Sequence, residues 1–499
     1  MIDDSIHITK VDDVWMHVSA PDSIRQEMAD FFTFTVPGAG FMPSVRNKHW
    51  DGKIRLYNQL TRRMYFGLHT YINKFAEERD YEVEYGAGFD SDEFSLFEAK
   101  QFLRKLNLPF EVRDYQTDAF AHCMKNKRAL MVSPTASGKS LIIHMICQYF
   151  YDMWEMQYEG KILIIVPTTS LVHQMYTDFE EYGMLAEHPD YGTMMHRIME
   201  GYEKDSEAMI QISTWQSIHR LPKTWFKKFD VVIGDEAHLF KAKSLTTIMT
   251  KLESTPYRFG FTGTLADSQT HKLVLEGLFG PAEQVTTTSE LIEDGTLAQF
   301  NVKGIVLKYP EWHRRQVSKY KYKDELDFLV SNPERNRFIK NLIYSLKGNT
   351  LLLYQFVEKH GKVIYDLLES DKNLIKEKPT FFVHGGVKAE EREKIRGIVE
   401  EENDAVIVAS YGTFSTGINI RNLDNVVFAS PSKSKIRVLQ SIGRGLRRSE
   451  RKTKATLFDI ADDLQWKSKK NYTLDHFAER IKMYNIEKFD YKIYKVNLK

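Results

Sequence analysis

ALMVSPTASGKS, residues 129–140, decides how the rest of the chain is read. A short apolar strand stops at Ser133-Pro134, a turn follows, and GKSLIIHMICQYFYDMW continues as a helix. A turn that opens into a helix points backbone N–H groups at an anion. Thr135, Ala136 and Ser137 make the turn, and Gly138 lets the backbone approach closely. Lys139 supplies a point charge, and Ser140 supplies a hydroxyl for Mg²⁺. The full pattern G-x-x-x-x-G-K-[ST] has glycine where Ser133 stands. The strand before it and the helix after it keep the reading as a phosphate cradle.

About a hundred residues on, VVIGDEAHLF (231–240) ends a strand in two carboxylates and a histidine. Alone, such an end is either a solvated strand exit or a set of metal ligands. A triphosphate at Lys139 brings Mg²⁺, which keeps several waters and takes one or two carboxylates. Asp235 is therefore expected to hold the ion with Ser140, and Glu236 to polarise the attacking water. A zinc site would need H-E-x-x-H on a helix, a spacing this sequence lacks.

At 499 residues the chain exceeds one ordinary core, and about three domains are expected. Its 42% hydrophobic and 27% charged residues exclude wholesale disorder. No apolar run approaches the ~20 residues of a membrane span. The start, MIDDSIHITKVDD, lacks a signal-type core. Cys123 and Cys147 are the only cysteines. They give no disulfide framework and no four-cysteine zinc site, so a cytoplasmic location is expected. Net charge, +1, is silent on partners. Locally, residues 41–70 carry six Lys/Arg against one acid, and residues 465–499 carry nine against four.

Residues 1–95 read as a small α+β unit: HITKVDDVWMHV as strand or hairpin, PDSIRQEMADFFTF as helix, and Asp51-Gly52 in HWDGKIRLYN as a tight hairpin turn. FDSDEFSLFEAK (89–100) is a candidate boundary. Strands and helices then alternate, as in a parallel sheet with crossovers. KILIIVP, MIQIST, VVIGDE and YRFGFTGT are strands of one such unit. After a connecting stretch near 285–320, NTLLLYQF, AVIVAS and NVVFAS are strands of a second, with helices at 358–370 and 387–401. The expected fold is α/β. Domains are expected at 1–95, 96–290 and 291–464, then a basic tail at 465–499 with a helix and an irregular or strand-like end.

SPTASGKS followed by DEAH resembles the superfamily 2 nucleic-acid motors, and further signatures follow in order. VRDYQ matches the adenine-reading motif, with Arg113 and Gln116. PTTSLVHQM and STWQS resemble strand-contacting motifs, with Thr168, Thr169 and Thr214. FTGTL matches the coupling motif, with Thr262 and Thr264; His238 joins this coupling set. LLLYQFVEKHG resembles the fourth motif, and ASYGTFSTGINI the fifth, with Thr413 and Gly417. Asn419 departs from the Asp common there, and no role is carried to it. QSIGRGLRRS matches the sixth, whose Gln440, Arg444 and Arg447 would reach across a cleft to the triphosphate. Bland alternatives stand beside several of these. Thr168 and Thr169 fit a helix cap equally well, and the Arg-rich run fits a solvated face.

HWDGKIRLYNQLTRRMYFGLH ahead of this motor, with KILIIVPTT, VASYGTFSTGI and KSKIRVLQSIGRGLRR, resembles the phage UvsW family of recombination helicases. The resemblance implies two tandem RecA-like parallel-sheet domains after a small α+β N-terminal domain, with ATP and Mg²⁺ between them. It implies 3′-to-5′ movement on branched, forked or single-stranded DNA, with RNA–DNA hybrids as further substrates, in phage recombination, repair and replication. Holliday-junction migration, fork regression and R-loop and D-loop unwinding are the expected activities, by a monomeric motor. Arg46, Lys48, Lys53 and Arg55, with Arg62 and Arg63, would neutralise phosphates without reading sequence. Trp50 would stack on a base at a branch, or else belong to the core. An RNA helicase, a duplex translocase that separates no strands, and an ATP-gated scaffold for branched DNA remain open alternatives.

Overall fold

The computed structural model describes residues 5–89, 93–154, 160–184, 194–265, 269–371, 377–413, 420, 422–430 and 454–498. They form two compact units, Met1–Ser133 with Gly138–Val285, and Pro134–Ser137 with Thr286–Lys499. No helix among the described residues is long and apolar enough to cross a membrane.

The first unit begins with an antiparallel hairpin of β1 (Ser5–Lys10) and β2 (Trp15–Ser19). Asp12 closes it, accepting from the Val14 and Trp15 N–H groups at 2.7 and 2.8 Å. β3 (Thr33–Thr35) and β4 (Lys53–Arg55) form a small ribbon of their own. β5 (Tyr57–Asn58), β6 (Arg63–Tyr65) and β7 (Glu82–Tyr85) complete a mixed sheet ordered β5-β6-β2-β1-β7. Strand alternation puts Ile6, Ile8, Met16 and Val18 on one buried face. They share a core with Ile24 and Met28 of the helix Asp22–Phe31 and with Ile72 and Phe75 of the helix His69–Glu77.

The tight hairpin expected at Asp51-Gly52 does not form. Gly52 does turn, with φ 78°, but β4 pairs with the distant β3. The segment that would have been the other arm starts as a short helix, Pro43–Arg46, with proline in its first turn. The N–H groups of His49 and Trp50 both donate to Ser44 O, at 2.9 and 3.1 Å, so they are spent before any ladder can use them.

β8 (Arg128–Val132), β9 (Ile162–Val166), β10 (Met195–Ile198), β11 (Ile210–Thr214), β12 (Val231–Asp235), β13 (Tyr257–Thr262) and β14 (Ala282–Gln284) build a wholly parallel sheet. Its order is β10-β11-β9-β12-β13-β8-β14. The inner strands are buried on both faces, which is why a run such as ILIIV shows no alternation.

The N-terminal sheet and this sheet share one apolar core, in which Ile8, Met16 and Phe75 join Leu130, Leu275 and Phe279. The contact is close because it is made of glycine. A side chain at Gly67 would overlap the Glu276 carbonyl, and a Cβ at Gly277 would sit 2.9 Å from Tyr65. Tyr71 Oη donates to the buried Glu276 carboxylate at 2.7 Å across the same contact.

In the second unit, β15 (Gln299–Lys308), β16 (Thr350–Tyr354), β17 (Thr380–Val383), β18 (Val406–Ser410), β19 (Asn425–Phe428), β20 (Lys454–Asp463) and β21 (Asp490–Asn497) are also all parallel. The order β17-β18-β16-β19-β20-β15-β21 repeats that of the first motor sheet strand for strand. β15 corrects the reading of 285–320 as a connection. Its Lys303 and Gly304 break the apolar run, yet Phe300, Val302, Val306 and Leu307 are buried.

Residues 465–498 are built into this second sheet. β21 pairs with β15 from Asn301↔Asp490 to Lys308↔Asn497. The helix Tyr472–Ile486 is pinned by two buried groups. Arg480 makes a two-pronged ion pair with Asp459 at 2.8 and 2.7 Å. Glu325 accepts from Thr473 N–H and Oγ1, both at 2.8 Å, at the helix start.

Candidate nucleotide site

β8 delivers Ser133 to the sheet edge, where its N–H donates to Thr262 O at 2.8 Å. The following turn holds two left-handed residues, Ala136 (φ 67°) and Gly138 (φ 82°). This is the backbone pattern of an anion-binding nest. Ser137 Oγ donates to Pro134 O at 2.7 Å and braces the turn from within. Lys139 begins the helix Lys139–Trp154, and its Nζ donates to Ser133 O at 3.1 Å. Ser140 follows in the first helical turn, partly exposed like Thr135. Gln116 is buried beside the loop; its Oε1 accepts from Arg113 N–H at 3.1 Å, and a side chain at position 138 would collide with its amide nitrogen. Arg113 is exposed, with Nη1 donating to Tyr115 Oη at 2.9 Å.

Asp235 is the last residue of β12 and is buried. Burial and then Glu236 push its pKa up to about 6, against the opposing pull of Lys139. Glu236 takes a left-handed conformation (φ 51°), costly for a residue with a side chain. That turn brings its Oε2 to 3.3 Å from His238 Nδ1. His238 Nδ1 also lies 3.1 Å from Thr262 Oγ1, which itself donates to Thr264 O at 2.9 Å. The Thr262 proton being committed, His238 must carry its proton on Nδ1. Asp235, Glu236, His238, Thr262 and Thr264 thus form one connected group joining two strand ends.

Thr168 caps the helix Thr169–Phe179, its side chain accepting from Leu171 N–H at 3.3 Å, and Thr169 is exposed in the first turn. Thr214 ends β11, with its Oγ1 2.9 Å from Ser217 Oγ. Ser410 ends β18, with its Oγ 2.7 Å from Thr413 Oγ1. β11 and β18 hold the same place in their sheets, so one hydroxyl couple occurs twice, at the same strand end. Sequence reading found Thr214 and Thr413 but missed Ser217 and Ser410. The shared S/T-x-x-S/T spacing at a strand end is the signal for both.

In the N-terminal region, Arg46, Lys48, Lys53, Arg55, Arg62 and Arg63 are exposed. Arg55 is paired with Asp51 at 2.5 Å. Trp50 is half-buried rather than core, with Nε1 donating to Lys53 O at 2.9 Å. Gly417, Gln440, Arg444 and Arg447 lie outside the described residues.

Over 508 aligned residues the chain is 35% identical to the ATP-dependent DNA helicase UvsW of Enterobacteria phage T4, spanning 97% of this chain and 98% of that one. The chain belongs to the UvsW helicase family. As a UvsW-family member it is an ATP-hydrolysing helicase with two RecA-like domains. Three family descriptions match in order: DNA helicase UvsW, N-terminal, over 5–85; type III restriction enzyme, res subunit, over 109–267; and helicase conserved C-terminal domain over 334–449. The crystal structure of T4 UvsW aligns over 99% of this UvsW-family chain and 100% of its own, with TM-score 0.51 and 33% identity. The DNA 3′-5′ translocase XPB2 of Sulfurisphaera tokodaii is 24% identical over 464 residues, 86% of this chain and 95% of that one.

Proposed function

We propose that this helicase remodels branched DNA: it migrates four-way junctions, regresses forks and unwinds R-loops and D-loops in phage recombination, repair and replication. One observation carries the reading. The likeness to T4 UvsW runs end to end, through the N-terminal sheet as well as both motor domains.

In this reading Thr135–Ser140 cradle the triphosphate, with Arg113 and Gln116 at the base. Ser140 and Asp235 hold Mg²⁺, which when bound draws charge off the phosphates. The residues fit such an ion. Burial and then Glu236 oppose the Asp235 anion, and a divalent cation would offset that cost. Water and phosphate oxygens would complete the shell, as Mg²⁺ usually keeps several waters. Glu236 takes the proton of the attacking water. Gln440, Arg444 and Arg447 meet the triphosphate, an arginine so placed being worth about 10³–10⁵ in rate.

His238, Thr262, Thr264 and Gly417 relay the state of the site to the strand grips at Thr168, Thr169, Thr214 and Thr413. Contacts to sugar and phosphate read no sequence. Branch preference then rests with Arg46, Lys48, Trp50, Lys53 and Arg55.

The test is strand displacement on forked DNA, an R-loop, a mobile four-way junction and an RNA duplex, with Glu236→Gln as control. ATP-dependent resolution of the branched DNAs and none of the RNA duplex is expected. Activity confined to RNA would overturn the reading. The likeness to XPB2 favours a second one, translocation without strand separation. Removal of a third-strand block from duplex DNA, with no displacement of any branch, would select it.

A further inference from the structure

The contact between the N-terminal sheet and the first motor sheet buries two guanidiniums that, among the described residues, have no carboxylate partner. Arg128 opens β8, and Arg258 stands beside it in register on β13. Arg128 Nη1 and Nη2 both donate to Asp13 O at 2.7 Å. Arg258 donates to the carbonyls of Leu278, Leu252 and Met249 at 2.8, 2.9 and 2.7 Å. Arg128 is 8% exposed and Arg258 0%. Among the described residues neither forms an ion pair. Asp12 and Asp13 are the acids they feel. The Asp12 carboxylate is held by main-chain N–H groups, and Asp13 faces Lys10 at 2.7 Å. Two adjacent cations removed from water are costly unless an anion compensates them.

A cavity of about 440 Å³ opens beside Arg128. Lys10 and Lys127 also line it, against the single acid Asp13. Its aromatic wall is Phe66 stacked on Phe89, with centroids 5.0 Å apart and planes 22° from parallel. Lys10 and Arg128 lie over the Phe66 ring at 5.3 and 4.8 Å. The volume lies within the range of small-molecule sites, which favour the junction of two domains. Arg128 starts the strand whose other end is the phosphate cradle. At ~3.3 Å per residue, Ser133 is ~17 Å away, so this is a different place from the nucleotide site.

We propose that the cavity is a second ligand site, for a phosphate monoester carrying a planar ring of nucleotide size. The phosphate compensates Lys127 and Arg128, and the ring lies along the Phe66–Phe89 wall. Lys10 and Phe89 come from the N-terminal region, Lys127 and Arg128 from the motor domain, so an occupant ties the two together. The phosphate has two possible sources, a free nucleotide or the 5′-phosphorylated end of a DNA strand. The site does not depend on the branched-DNA reading, and either can fail without the other.

The full chain, with ADP and Mg²⁺ saturating the first site, is titrated with dAMP, a 5′-phosphorylated oligonucleotide and its unphosphorylated twin. Two variants are compared. Lys127→Gly removes a charge at a left-handed residue (φ 58°) where glycine fits. Thr70→Trp fills the cavity from its exposed rim. Basal ATP turnover is expected unchanged in both. One dAMP site beyond the ADP site is expected, weakened about tenfold by Lys127→Gly and lost in Thr70→Trp. Displacement of dAMP by the phosphorylated oligonucleotide, but not by its twin, identifies a strand end as the source. No displacement by either identifies a free nucleotide. If Thr70→Trp fails to fold, Lys127→Gly decides alone. No binding of either phosphate probe at millimolar concentration, or binding that the folded variants leave unchanged, overturns the proposal.

Discussion

His238 Nδ1 stands 3.1 Å from Thr262 Oγ1, a side-chain hydrogen bond added to the backbone pairing of the β12 and β13 ends. It is buried, and we propose that a change at Asp235 or Glu236 is felt at Thr262. Thr262→Val keeps the shape and deletes the acceptor. We expect ATP turnover within about threefold of wild type but strand displacement reduced about tenfold or more, a coupling loss of ~1–2 kcal/mol. Equal losses in both assays would show that the bond serves hydrolysis rather than coupling.

Gly138 has no room for a side chain. A Cβ there meets the Gln116 amide, and φ is 82°. Gly138→Ala is expected to weaken nucleotide binding at least about tenfold, from ~1–3 kcal/mol of strain. Lys139→Ala is expected to abolish turnover. Glu236→Gln is expected to keep nucleotide binding while hydrolysis stops. Loss of binding in that last variant would make Glu236 a metal ligand instead.

The glycine contact between the N-terminal and motor sheets is tested by Gly277→Val. Its side chain runs into Tyr65, and overpacking of this kind costs ~1–3 kcal/mol. Tyr71→Phe, which strips a donor from buried Glu276, is expected to cost a similar ~1–3 kcal/mol. Urea unfolding of the full chain measures both. Midpoints within error of wild type would mean that the two sheets do not unfold together.

Arg480→Met leaves Asp459 buried without its ion-pair partner, with Tyr484 Oη at 2.9 Å the one remaining side-chain donor among the described residues. A loss of ~3–5 kcal/mol is expected, with the helix Tyr472–Ile486 and β21 exchanging their amide hydrogens early. Protection there equal to wild type would mean the segment is held by β21 alone.

Acid should weaken the first unit through His144. It is buried between Phe179 and Tyr182, and among the described residues neither ring nitrogen has a hydrogen-bond partner. Burial pushes its pKa down to about 3, from 6.5 when unfolded. Between those values the unfolded chain binds a proton that the folded chain refuses, so stability falls as pH drops. At pH 5 the loss is ~2 kcal/mol. His144→Met should flatten the fall in melting temperature between pH 7 and pH 5. An unchanged slope would assign the acid sensitivity to other groups.

Much of the motor was legible because its strands are buried on both faces, and short β-branched runs such as VVIGD mark such strands. The phosphate loop was legible for the same reason: a strand, a bend and a helix start occur together in twelve residues. What was hidden depends on partners distant in sequence. β20 carries Asp459 and Asp462, which look like loop residues until Arg480 and Arg335 are seen to neutralise them inside the sheet. The basic residues of 465–499 suggested a tail, because charge counts do not show that the whole of β21 pairs with β15. Asp51-Gly52 misled for a local reason: Ser44 O had already taken the N–H groups a hairpin needs. Ser217 and Ser410 were missed because each gains meaning only as half of a couple.

We propose that both motor domains act on one ATP and that branched DNA drives the cycle. This is tested most directly by ATP turnover of the full chain with no nucleic acid, single strand, duplex, fork, R-loop and four-way junction in parallel. The branched DNAs are expected to stimulate most, and Arg447→Ala is expected to bind ATP and DNA yet lose that stimulation. Turnover indifferent to DNA, or full stimulation in Arg447→Ala, would contradict it.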